Sequence, residues 1–244
     1  EQGMLVVNYA GHGSTSAWAA ENLLTQNHIR LLTSPRLPLW ITATCDFTRF
    51  DDVQASAGED ALLNPSGGAI ALLTTTRAVY AAQNSQLNQV FHHYLFARPQ
   101  GTRLRLGDIM RLSKCDATLS GDRNKLSFAL IGDPALTLAY PEYHITVDEF
   151  DGYPVDALSA SDDIPQISAG AKVTVRGRVL NAEGATAEQF NGVLHPTVYD
   201  SRQHVKTLDN LGDGAFEYTE PGKILYAGTD TVQDGNFSFS FRVP

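Results

Sequence analysis

Two stretches decide the fold: Leu5-Val6-Val7-Asn8-Tyr9-Ala10-Gly11-His12-Gly13 and Leu39-Trp40-Ile41-Thr42-Ala43-Thr44-Cys45-Asp46. Each begins with a short run rich in β-branched and aromatic residues and closes on a polar or turn-forming one. An apolar run without alternation is how a strand covered on both faces reads. The segment between them, Trp18 to Ser34, is long enough for the crossover that parallel neighbours need, so both C-terminal ends point the same way. Open α/β sheets carry their chemistry at that edge. His12 and Cys45, far apart in sequence, therefore come side by side.

Working outward, Ala17 to Asn22 is expected to be a short helical piece anchored by Trp18, and Pro35 and Pro38 end the crossover. Ser56 to Leu63 reads as a helix, with Ser56 as N-cap and Glu59 at capping-box spacing. A third buried strand, Ala69 to Leu73, delivers Thr74-Thr75-Thr76-Arg77 to the edge that holds His12 and Cys45. Asn84 to Phe96 and Leu104 to Ser113 have the apolar spacing of amphipathic helices. Phe128 to Ile131 is a last short strand, closed by the turn Gly132-Asp133-Pro134. Alternating strand and helix predict an α/β domain over residues 1–141, a parallel sheet with flanking helices. From about Tyr140 the period becomes two, as in Val173, Val175 and Val179 or Phe237, Phe239 and Phe241, with turns at Asp151-Gly152 and Asp234-Gly235-Asn236. That pattern predicts an antiparallel β-sandwich over 142–244.

Composition narrows the classes of partner. With 43% hydrophobic and 18% charged residues the chain is globular. A net charge of −9 without any basic run argues against a nucleic-acid partner, because phosphate binding needs clustered Lys and Arg. Ala69 to Leu73 is the longest apolar stretch, far too short to span a bilayer. The chain opens on Glu1 close to a strand and closes inside another, which predicts a piece of a longer protein with any signal peptide outside it.

A thiolate nucleophile needs a base within hydrogen-bond reach and donors aimed at the developing oxyanion. Cys45 supplies the sulfur, His12 the base, and the N–H groups of Gly13 and Cys45 the oxyanion donors. A lone Cys is usually a small core residue and a lone His usually structural, but the strand-end pairing of the two favours chemistry. If Cys45 is the nucleophile it stays free, which leaves Cys115 an unpaired thiol. Asp46, Phe47, Thr76 and Arg77, from the loops that follow two of the strands, are the candidate substrate-pocket residues. His92-His93, His195 and His204 lack partners at metal-ligand spacing, and neither a metal nor a cofactor is expected.

Taken together, Asn8-Tyr9-Ala10-Gly11-His12-Gly13, Thr42-Ala43-Thr44-Cys45-Asp46-Phe47, Ser56-Ala57-Gly58-Glu59, Gly67-Gly68-Ala69-Ile70-Ala71, Thr74-Thr75-Thr76-Arg77 and Gly132-Asp133-Pro134-Ala135-Leu136 resemble the gingipain family of cysteine peptidases. Within it, the nearest likeness is to the sortases of the type IX secretion system of Bacteroidetes. The resemblance implies a caspase-like α/β catalytic domain followed by an immunoglobulin-like sandwich, with His12 and Cys45 as the dyad. It also implies removal of the C-terminal signal from secreted proteins at the cell surface or outer membrane, with other type IX secretion components as partners. Transfer of the new carboxyl end to anionic lipopolysaccharide belongs to the same implication. In this family the acid that orients the histidine precedes the His-Gly motif, so residues 1–244 alone are expected to be inactive or weakly active. The rival expectations are a gingipain-type endopeptidase without transfer and a non-catalytic surface binding module.

Overall fold

The structure is a computed structural model that describes residues 3–156, 166–210, 212 and 214–244. The chain divides into two compact units, Glu1–Tyr140 and Pro141–Pro244.

The first unit is built on a four-stranded sheet. Its strands are β1 (Val6–Ala10), β4 (Leu39–Ala43), β5 (Ala71–Thr75) and β6 (Phe128–Ile131), in the order β1-β4-β5-β6. A small ladder of β2 (Ala17–Trp18) with β3 (Leu24–Thr25) and the helix α1 (Gln26–Arg30) lie between β1 and β4. Helix α2 (Ala57–Leu63) joins β4 to β5; α3 (Ala81–Phe96) and α4 (Leu106–Cys115) lie between β5 and β6.

Every residue of β4 and β5 is buried, which explains their unbroken apolar runs. Their side chains divide between two faces by the period of the pleat. Leu39, Ile41 and Leu73 pack with Leu87, Phe91, Leu95, Leu106 and Ile109 of α3 and α4. Trp40 and Leu72 face the other way, toward Trp18, Ile29, Phe47, Ala57 and Ala61.

Two expectations are corrected. The sheet is mixed rather than all parallel: β1, β4 and β5 are parallel, but β6 runs antiparallel to β5. The reason is the pair of helices between them. One helix carries the chain across the sheet, the second carries it back, and the next strand enters from the edge at which β5 ended. The other correction is at Ala17–Asn22, where the ladder of β2 with β3 replaces a helical piece. Ala19 (φ 58°) and Asn22 (φ 57°) take left-handed backbone, incompatible with a helical run.

Helix α2 starts as its sequence predicts, with the Ser56 N–H and hydroxyl both donating to the Glu59 carboxylate at 2.7 Å. Helix α3 begins three residues before the expected Asn84, at Ala81, and α4 is shifted two residues along.

The second unit is all β. Strands β7 (His144–Phe150), β8 (Tyr153–Pro154), β9 (Lys172–Leu180) and β16 (Asn236–Arg242) form an antiparallel sheet in the order β16-β9-β7-β8. Strands β10 (Gly192–Leu194), β11 (Thr197–Tyr199), β12 (Gln203–Lys206), β13 (Glu217–Glu220), β14 (Ile224–Ala227) and β15 (Asp230–Val232) make the two-stranded ladders β10-β15, β11-β14 and β12-β13. Val173, Val175, Val179, Phe237, Phe239 and Phe241 form the core with Leu194 and Val232, the face their period of two assigns them.

The α2 start is open to a direct test. Both tryptophans, Trp18 and Trp40, lie in the first unit, so tryptophan fluorescence in urea reports on that unit. Glu59→Ala should lower its stability by about 1 kcal/mol, the usual cost of a lost cap. An unchanged midpoint would show that the two Ser56 bonds contribute nothing.

Candidate active site

The parallel register sets the site. Ala10 stands opposite Ala43 on neighbouring strands, and the Gly11 N–H still donates to the Ala43 carbonyl at 3.2 Å. His12 and Cys45 each follow two residues beyond that last pair.

The His12 main chain is fixed tightly. Its carbonyl accepts the Tyr9 hydroxyl at 2.6 Å and the Ala19 N–H at 2.8 Å. The Tyr9 ring lies flat on Trp18, with centroids 4.5 Å apart, and burial pushes the pKa of its hydroxyl above the ordinary tyrosine value. Trp18 in turn packs against Trp40 and Phe47. The imidazole itself is exposed, and among the described residues no carboxylate or other group bonds to it.

Gly13 pairs with Trp18 through bonds made by its neighbours, Ser14 N–H to the Ala17 carbonyl and Ala19 N–H to the His12 carbonyl. Its own N–H is not taken up among the described residues, and neither is that of Cys45. A Cβ at Gly13 would lie 2.3 Å from Thr44 Oγ1, so only glycine lets this loop lie against the end of β4.

Cys45 is half-buried and, like Cys115, free. Its Sγ donates to the Val79 carbonyl at 3.6 Å, and no bond joins it to His12. Asp46 adopts left-handed backbone (φ 54°), and its N–H donates to the Arg77 carbonyl at 3.3 Å. The chain then turns inward. Phe47 is wholly buried in the core, which corrects its expected place in a substrate pocket: its ring offers no surface to a ligand. The start of α2 ties the two loops together, the Ala57 N–H donating to the Thr15 carbonyl at 2.6 Å and the Gly58 N–H to the Phe47 carbonyl at 2.9 Å.

Arg77 is exposed but engaged. Its guanidinium makes a two-pronged pair with Asp51, Nη1 to Oδ1 at 3.0 Å and Nη2 to Oδ2, and Nη1 also donates to the Thr76 carbonyl at 2.6 Å. The pair holds the Asp51 carboxyl below the ordinary range and raises Arg77. Thr76 is occupied as well, since its N–H (2.8 Å) and hydroxyl (3.2 Å) both donate to the Ser127 carbonyl.

Beneath the edge lies a layer of buried threonines that the sequence reading did not single out. The Thr42 hydroxyl donates to Thr74 Oγ1 at 2.6 Å, Thr48 and Thr74 share a bond at 2.9 Å, and the Thr75 hydroxyl donates to the Thr44 carbonyl. Their signal was the crowding of threonines at the ends of two apolar runs, which also reads as ordinary strand composition. Asp51 lies in the loop Asp46 to Asp52 after Cys45, where the sequence allows a cleft-lining carboxylate as well as a plain polar loop; its pairing with Arg77 is what the sequence does not show.

Among the described residues no group of His, Cys, Asp and Glu is arranged to hold a metal, and no helix is long and apolar enough to cross a membrane.

Comparison with known proteins identifies the sequence behind this geometry. Residues 1–139 match the model of peptidase family C25. Among solved structures, dimeric latent PorU from Porphyromonas gingivalis is 26% identical, with a TM-score of 0.41, over 73% of this chain and 17% of that one. The complex of Porphyromonas gingivalis RgpB pro- and mature domains is 19% identical, with a TM-score of 0.48, over 99% of this chain and 48% of that one. The Arg-specific cysteine proteinase gingipain R (RgpB) is 21% identical, with a TM-score of 0.48, over 99% and 47%. The chain thus spans about half or less of these proteins. No curated protein matches it significantly.

The threonine layer generates a paired expectation. Thr74→Val leaves the Thr42 and Thr48 hydroxyls without their partner and should cost about 2 kcal/mol, whereas Thr44→Val removes a hydroxyl that is buried and already unpaired, and should be close to neutral. Urea midpoints of the two variants check the contrast, and equal losses would contradict it.

Proposed function

The chain belongs to peptidase family C25, and from that membership we propose that its first unit carries the Cys45–His12 dyad of a cysteine endopeptidase that works through a thioester. The observation that carries the reading is the register of Ala10 opposite Ala43, which brings both residues to one edge on adjacent parallel strands. Such strands lie ~4.8 Å apart. In the reaction His12 takes the proton from Cys45, and the thiolate attacks the substrate carbonyl carbon. The oxyanion lies against the Gly13 and Cys45 N–H groups, which the fold leaves free for it. As the tetrahedral adduct collapses, His12 returns the proton to the leaving amine and a thioester remains. Water or an amine then attacks that thioester and frees the cysteine. Among the described residues no hydrogen bond joins the Cys45 thiol to the His12 imidazole, and catalytic hydrogen bonds often tighten only once substrate is bound. Asp46, Thr76 and Arg77 would line the pocket for the residue before the cut.

The substrate reading rests on the likeness of Thr42–Phe47 to the sortases of type IX secretion. The leaving segment is then the C-terminal signal of a secreted protein, removed at the outer face of the cell with other secretion components in attendance. The attacking amine, where one takes part, belongs to an anionic lipopolysaccharide. On the same likeness the first unit is caspase-like and the second an immunoglobulin-like sandwich.

In the full-length protein Cys45→Ala should abolish release of the signal, and His12→Ala should lower it by at least 100-fold, within the range expected of a lost general base. Mass spectrometry of the processed substrate reads both and separates a hydrolysed carboxyl end from a transferred one. Cleavage that persists in Cys45→Ala would overturn the assignment; a hydrolysed end alone would restrict it to an endopeptidase.

A further inference from the structure

The dyad mechanism makes no use of Asp51, yet this carboxylate closes a ring of contacts around the nucleophile. The segment Thr76–Tyr80 is anchored at both ends, by Thr76 to the Ser127 carbonyl at 2.8 Å and by the Tyr80 N–H to Asn124 Oδ1 at 3.0 Å. Asn124 is itself buried and donates to Asn84 Oδ1 at 2.9 Å. Three links run from this fixed segment to the nucleophile loop: the Cys45 Sγ to the Val79 carbonyl, the Asp46 N–H to the Arg77 carbonyl, and the two-pronged Arg77–Asp51 pair. The first two are long, at 3.6 and 3.3 Å; the Thr48 N–H donates to the Thr75 carbonyl at 2.9 Å just before the segment, and beyond Thr48 the loop reaches the segment through Asp51. The third sets both distance and orientation, as a planar guanidinium on a carboxylate does.

We propose that Asp51 and Arg77 are positioning residues for Cys45: their pair clamps the nucleophile loop to Thr76–Tyr80 and seats the Val79 carbonyl against the thiol until substrate binds. The inference rests on the reading of Cys45 as the nucleophile. The Val79 carbonyl accepts the S–H, so the seat competes with the base for that proton. Substrate entering the edge takes the place of the seat, and the proton then passes to His12. An exposed ion pair suits the task, since it fixes geometry while contributing little stability. The charged groups on the loops around the thiol are His12, Asp46, Arg49, Asp51, Asp52 and Arg77. Arg49 and Asp52 face each other at 3.7 Å, and Asp46 adds its charge to that of Asp51 at Arg77.

The test separates a mechanical seat from a simple charge effect. In the full-length protein the rate of iodoacetamide labelling at Cys45, at one fixed pH, is measured by peptide mass spectrometry, with Cys115 as internal reference, for Asp51→Asn, Arg77→Met and the exchanged pair Asp51→Arg/Arg77→Asp. Both single variants release the Val79 carbonyl, so both should label faster, by roughly three- to tenfold. The exchanged pair should restore the original rate and so exclude misfolding. Charge alone predicts opposite changes, faster when Asp51 loses its charge and slower when Arg77 does. Opposite changes, or no change, would overturn the proposal. The dyad reading fails separately: if His12→Ala leaves both Cys45 labelling and signal release unchanged, Cys45 has no base there, while the two loop variants still decide whether the seat exists.

Discussion

The active edge depends on one constraint, the parallel register of β1, β4 and β5. Val6–Ala10 runs level with Leu39–Ala43, and Leu39–Thr42 with Ala71–Thr74. Three loops therefore leave the sheet side by side, carrying His12, Cys45 and Arg77. A slip of one residue at β4 would exchange its two faces and drive Trp40 toward α3 and α4. Because β4 is buried on both sides, such a slip would disturb both cores at once, and the packing that stabilises the unit also fixes the chemistry.

Register brings the loops together but does not hold them once they leave the sheet. Beside the Arg77–Asp51 pair, two devices do that. The start of α2 donates N–H groups to the Thr15 and Phe47 carbonyls, so one helix end fastens the histidine loop and the cysteine loop to each other. Gly58 at that end has no room for a side chain, since its Cβ would fall 1.8 Å from Thr48 Oγ1. The threonine layer is the second device. A buried hydroxyl without a partner is costly, and Thr42, Thr48 and Thr74 find theirs in one another, which adds directional links where aliphatic packing alone would allow sliding.

Much of this was legible in the sequence. The strands carrying His12 and Cys45, the Glu59 contact at the start of α2, the faces of the two long helices and the alternation of the second unit all follow from periodicity and turn chemistry. What escaped was set by contacts between distant segments. Trp18 lies in a two-residue ladder because Tyr9 and Phe47 are there to receive it, and a window of six residues carries no trace of either. The direction of β6 depends on how often the intervening helices cross the sheet. Phe47 lies two residues after Cys45 and so invites a place in the pocket, but the left-handed turn at Asp46 sends its ring into the core. Asp51 acquires meaning only when Arg77, from another strand, reaches it.

The two groups of the proposed dyad are held differently, and the difference bears on how such a site would work. His12 is fixed through its carbonyl, by a tyrosine hydroxyl stacked on the core and by the ladder after it, while its ring projects freely. Cys45 is fixed through its sulfur as well as its backbone. In the proposed dyad, the thiol's partner in the structure is a carbonyl from the loop after β5, while its base comes from the loop after β1. A substrate entering between those loops would have to displace the first contact before the second could form, so the clamp on Thr76–Tyr80 would set how readily the thiol is released to the imidazole.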